Sequence, residues 1–136
     1  MPKLKDFIVE KNFVTDRIST QIRIIAVGLL VTAWSLLIGQ VNILKGITAC
    51  FRIHFILISI IAIITLVLDF LQYKFSYLNL NKKIKSMKEK NMDEESVYQE
   101  DKYYKGSNFF FISKQYVLLT GVAYFIMVCM FIIIIK

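Results

Sequence analysis

Proline occurs once in the 136 residues and glycine five times, so little in the chain interrupts a helix and little supplies the turns of a strand-rich fold. Histidine also occurs once, as His54. A single imidazole, set apart from most of the carboxylates, cannot assemble the usual hydrolytic sites, where a base must reach a nucleophile or a metal. No HExxH, GxSxG, P-loop or GxGxxG spacing is present either. These absences argue against an enzyme, and no cofactor or metal is expected. The two cysteines, Cys50 and Cys129, lack zinc or redox spacing and lie in apolar surroundings, where a thiol acts as a small packing group. A disulfide between them would need an oxidising outer face, and the topology derived below sets Cys129 about 9 Å deeper than Cys50.

Acidic side chains are outnumbered, with 10 Asp and Glu against 17 Lys and Arg, a formal net charge of +7. A basic balance of this kind can mark a nucleic-acid binder, but here the cations are segregated from long apolar runs and do not line a patch. No nucleic-acid partner is expected. The apolar share is 57% and the mean hydropathy +0.58, above what a soluble domain carries.

Three runs hold that excess. Residues 24–44 carry no charge, residues 53–73 contain Asp69 as their one acidic member, and residues 116–135 are again uncharged. Each is long enough for a hydrocarbon core of about 30 Å. The first begins too far from the amino terminus, and runs too long, for a signal peptide. The predicted fold is therefore an all-α membrane protein of three transmembrane helices, joined by a short outer loop at 45–52 and a long basic segment at 74–115. Lys3, Lys5, Lys11, Arg17 and Arg23 precede the first run, only Lys45 and Arg52 stand between the first two, and lysines are dense between the second and third. Positive charge on alternate sides predicts a cytoplasmic amino terminus and an external carboxyl terminus, in the cell (inner) membrane. Tyr73, Tyr77 and Phe109 to Phe111 sit where interfacial aromatics belong.

Apolar periodicity continues beyond the second run. Leu66, Phe70, Tyr73, Tyr77, Leu80, Ile84 and Met87 recur at alternating intervals of four and three, the spacing of a coiled-coil seam. One helix is expected to cross the membrane and project into the cytoplasm, its seam serving self-association, a partner helix, or packing against the amino-terminal segment. Lys82, Lys83, Lys85, Lys88 and Lys90 cover its other faces, suited to anionic headgroups or a protein partner. Asp93 to Asp101 read as an acidic, solvated connector, and Gly106, Ser107 and Asn108 as a turn before the third run. Leu4, Phe7, Ile8, Val14 and Ile18 give residues 1–23 an irregular apolar face, expected as a short amphipathic helix on the inner leaflet.

Within the runs, Gly28, Thr32, Ser35 and Gly39 fall at intervals of four, three and four, a small-residue face for close helix packing within or between subunits. A homo-oligomer is expected on that ground. Asp69, about one turn inside the inner boundary, is expected to pair with Lys74 or cap polar groups at the helix exit. His54, beside Arg52, is expected as an interfacial polar residue at the outer end.

The segments TDRISTQIRI before the first run and DFLQYKFSYLNLNKKIKSMKEK at the end of the second resemble, over about residues 15–92, the SLATT-type small membrane effectors of bacterial conflict (antiphage) systems. The third run has no counterpart in that family's two-span plan. The resemblance implies an oligomeric protein that perturbs or permeabilises the inner membrane when a cytosolic signalling partner releases it. The expected function is thus a non-enzymatic, channel-like effector subunit controlled through its cytoplasmic segment. A membrane anchor that recruits a cytosolic partner is the alternative. A holin would place its amino terminus outside and its carboxyl terminus inside. A small multidrug exporter would want four spans and an embedded glutamate, which none of the runs contains.

Overall fold

The computed structural model describes the backbone of residues 4–38, 47–90 and 102–135, and side chains over 12–38, 51–82 and 102–135 together with Lys85. Within these residues the chain is all helix: α1 spans Leu4–Leu37, α2 Ile47–Lys90 and α3 Lys102–Ile135. All three are long and apolar enough to cross a membrane, over Asn12–Leu37, Phe51–Lys82 and Lys102–Ile135. The protein is therefore a multi-pass membrane protein, and long helices suit it because each satisfies its own backbone hydrogen bonds where no water can.

Two boundaries depart from the sequence-based expectation. Residues 1–23 and 24–44 do not divide into an interfacial helix and a separate span, because α1 is one helix of 34 residues that ends at Leu37. No proline or glycine lies between Leu4 and Val27 to break it, and Ser19 and Arg23 are held by a partner on α2, as described below. Residues 39–44, including Gly39 of the small-residue face, lie outside the described residues. The expected turn at Gly106 to Asn108 is likewise absent, since α3 starts at Lys102 and runs straight through these positions. Packing overrides their turn propensity. A Cβ added at Gly106 would lie 2.7 Å from Phe75 Cδ1, so the glycine is where a helix must approach an aromatic ring closely. Ser107 shares a 2.6 Å hydrogen bond with Ser76.

The central element is α2, which has 44 residues and is about 66 Å long at 1.5 Å per residue. Antiparallel to it, α3 pairs in a regular register marked by Ser107 with Ser76, Lys114 with Asp69, Gly121 with Ile61 and Tyr124 with His54. α1 lies against α2 on another side, also antiparallel, with Asp16 at Tyr73 and Ser19 at Asp69. The main apolar core draws on all three helices: Leu29 and Ala33 of α1, Phe55, Ile58 and Ala62 of α2, and Val128 and Ile132 of α3. Ile22, Ala26 and Leu118 form a second, smaller group.

On α1 the buried positions Ile22, Ala26, Leu29 and Ala33 repeat at four, three and four, the same rhythm as the small-residue face. They lie one residue out of phase with Thr32 and Gly28, which turns the two faces apart by about 100°. The face that packs internally is thus the aliphatic and alanine one. A Cβ at Gly28 would meet nothing within 4 Å. Thr32 donates to the Gly28 carbonyl and Ser35 to that of Val31, both at 2.8 Å, so neither hydroxyl is left unsatisfied on the outward surface.

Candidate functional site

At the level where α1, α2 and α3 all meet, the interior changes from apolar to charged. Asp69 sits on the α2 face between the other two helices and is 5% exposed. From α1, Ser19 donates to Oδ1 at 2.7 Å, while Arg23 reaches Oδ2 with Nε at 3.0 Å and with an Nη at 2.9 Å. From α3, the Lys114 ammonium, wholly buried, donates to Oδ1 and to the Ser19 hydroxyl. Both carboxylate oxygens are therefore engaged, and one side chain ties three helices together.

Aromatic rings close the lower side of the cluster. The Arg23 guanidinium lies 5.3 Å from the Tyr73 ring centroid, and Lys114 Nζ is 5.4 Å from the centroid of Phe111 and 6.0 Å from that of Tyr73. Cations above ring faces are attracted by the ring quadrupole. The Tyr73 hydroxyl in turn donates to Asp16 Oδ1 at 3.1 Å.

Asp69 does not pair with Lys74, the partner expected from the sequence. Five residues along a helix turn through about 500°, which puts Lys74 on a different side of α2, where it is exposed. The true partners, Lys114, Arg23 and Ser19, are hidden in the sequence because both cations sit at run edges and count toward charged flanks. A signal was nevertheless present. Lys114 is the one charge between FFFIS and QYVLL, and a lone base in a largely apolar stretch of one helix with a lone acid in an apolar run of another is the pattern of an intramembrane pair.

His54, toward the other end of α2, shares a 2.6 Å hydrogen bond through Nδ1 with the Tyr124 hydroxyl of α3. It is half-buried, with Phe51 tilted against it, so it joins two helices within the bundle. Cys129 is a free thiol on α3, half-buried.

Beyond the charge cluster, α2 and α3 continue side by side. The α2 face toward α3 is a stripe of Gln72, Phe75, Ser76 and Asn79. Phe75 packs on Phe110 and Tyr103, whereas Gln72 Oε1 and Asn79 Oδ1 are buried without a hydrogen-bond partner. Of the expected seam, Tyr73 turns to α1, and Tyr77 and Leu80 are 63% and 56% exposed. The side chains of Ile84 and Met87 lie outside the described residues. Lys82 places its Nζ 5.8 Å from the Tyr103 centroid and Lys85 is exposed, while the side chains of Lys83, Lys88 and Lys90 are outside the described set.

Chemically, the cluster is an ionic clamp. Among the described residues no three His, Cys, Asp or Glu side chains converge as a metal site would require. Comparison of the chain with family models, with curated proteins and with solved structures finds no match.

Proposed function

We propose that the chain is a non-enzymatic membrane subunit that assembles with copies of itself into a membrane-perturbing or channel-like effector, controlled through the segment of α2 and α3 beyond the charge cluster. The observation that carries this reading is the outward small-residue face of α1, where Gly28 leaves open space and Thr32 and Ser35 have turned their hydroxyls back onto their own helix. A second helix can approach closely there, and close approach is what drives association where lipid is as apolar as the helices. The uneven distribution of positive charge supports a cytoplasmic amino terminus and a cytoplasmic α2–α3 extension. Beyond the cluster, Phe75 packs on α3 beside two buried, unpartnered acceptors at Gln72 and Asn79, and the cost of those acceptors suits an element that a signal must move.

Single cysteines test the assembly. Gly28→Cys and Thr32→Cys are expected to cross-link in native membranes, and Ala33→Cys, on the internal face, is not. Monomer alone in all three would remove the assembly. Induced expression of the assembled protein is expected to collapse the membrane potential, and an intact potential with the protein verified in the membrane counts decisively against permeabilisation.

A second reading, an anchor that recruits a cytosolic protein, is favoured by the exposed Tyr77 and Leu80 on the extension. Aromatic and aliphatic side chains flanked by lysines offer an acidic, amphipathic partner both contact area and charge complementarity. Charge reversal at Lys82, Lys83 and Lys85 is then expected to abolish co-purification of that partner while insertion stays intact. Unchanged co-purification would sink the recruitment reading.

A further inference from the structure

Arg23 spends only part of its guanidinium on Asp69. Nε and one Nη are engaged and one face lies over Tyr73, yet the side chain remains 45% exposed. Lys114 shows none of its ammonium to the outside. A single carboxylate shared by two cations leaves a surplus positive charge, and that surplus surfaces at Arg23. Asp16, the nearest acidic side chain toward the amino terminus of α1, is about 10 Å away along the axis and already accepts from Tyr73.

The height of this surplus matters. From Lys114 to Ile135 an α-helix rises about 31 Å, close to the roughly 30 Å of a bilayer's hydrocarbon. With Ile135 at the far edge of the hydrocarbon, the cluster would stand where hydrocarbon gives way to headgroup phosphates. Above Arg23 the surface is apolar: Val27, four residues on, is exposed on its flank of α1, and Phe70 and Ile63 are exposed on α2.

We propose that the exposed edge of the Arg23 guanidinium binds the phosphate of an anionic phospholipid, whose acyl chains lie along Val27 of α1 and Phe70 of α2. The guanidinium fork matches phosphate oxygens in a way an ammonium does not. The unbalanced positive charge of the cluster disfavours a headgroup carrying its own cation. This site is separate from the lysines of the α2 extension, and it rests on the membrane-spanning fold and not on assembly.

The test uses the full chain in mild detergent, with phosphatidylglycerol, phosphatidylcholine and inorganic phosphate as probes, read by native mass spectrometry and by thermal unfolding. Phosphatidylglycerol is expected to be retained as an adduct and to raise the unfolding midpoint of the wild type, with phosphatidylcholine and inorganic phosphate giving neither effect. Arg23→Gln is expected to weaken phosphatidylglycerol retention at least tenfold and Arg23→Lys by a few fold, whereas Lys82→Gln with Lys85→Gln leaves it unchanged. Arg23→Gln keeps Lys114 and Ser19 on Asp69, and circular dichroism verifies its helices. Equal retention of the two lipids by the wild type overturns the proposal whatever the variants do. So does full retention in folded Arg23→Gln, a loss in the lysine variant equal to that in Arg23→Gln, or an equal effect from inorganic phosphate.

Discussion

Asp69→Asn is expected to destabilise the bundle by about 3–5 kcal/mol, the usual consequence of deleting one member of a buried ionic group and leaving the others uncompensated. The amide fits the space of the carboxylate, so the loss is of charge and not of shape. Lys114, fully buried, would face an amide, and Arg23 would lose the anion that holds it against α2. Lys114→Met should cost less, because Asp69 then keeps Arg23 and Ser19. Asp69→Leu combined with Lys114→Met should recover most of the stability, since an apolar pair of similar volume removes the desolvation penalty along with the attraction. Arg23 can then extend to the headgroups. Thermal or denaturant unfolding in detergent, followed by circular dichroism, reads all four proteins. A midpoint for Asp69→Asn indistinguishable from wild type would show that the cluster does not clamp the helices.

Gly121→Leu is the second large effect. Gly121 is buried on α3 where all three helices converge, and a Cβ there would lie 2.7 Å from Ile61 Cγ2 and 3.5 Å from Leu29 Cδ2. Ile61 is β-branched and stiff at χ1, so its methyl cannot swing aside as the end of a longer chain could. Leucine must therefore push α3 away from α2, an overpacking cost of about 1–3 kcal/mol, with loss of the contacts that Leu118 and Val128 make on either side. Gly28→Leu is the matched control. Its side chain enters open space, so the unfolding free energy of the detergent-solubilised monomer should stay within about 0.5 kcal/mol of wild type. The same substitution fills the face proposed to join subunits, so cross-linking through Thr32→Cys should fall. Equal destabilisation by the two leucines would mean that the packing faces of α1 and α3 are not as described.

Much of the architecture is legible in the sequence. The three apolar runs predicted the three long helices, because membrane solvent selects on hydropathy summed along a segment, and proline and glycine are too sparse to break one. Continuity of α2 past its apolar run could be read from the four-and-three rhythm of Tyr73, Tyr77 and Leu80. The direction in which that rhythm points could not, since α3 covers the neighbouring stripe of Phe75 and Ser76 and leaves Tyr77 in the open. The turn expected at Gly106 failed for a related reason. Local propensity at Gly106, Ser107 and Asn108 favours a break, but Phe75 and Ser76 on the opposite helix reward an unbroken one.

The sequence by itself determined that three segments are apolar enough to cross a bilayer and that they are helical. Only the tertiary structure decided how each helix is rotated about its axis, and hence that Ile22, Ala26, Leu29 and Ala33 face inward, that Gly28 and Thr32 face outward, and that Asp69 meets Lys114 and Arg23. The reason is that lipid chains are as apolar as a protein core. A lipid-facing isoleucine and a buried one look alike in sequence, so the inside of a membrane protein is chosen by shape and by a few charges seeking one another across helices.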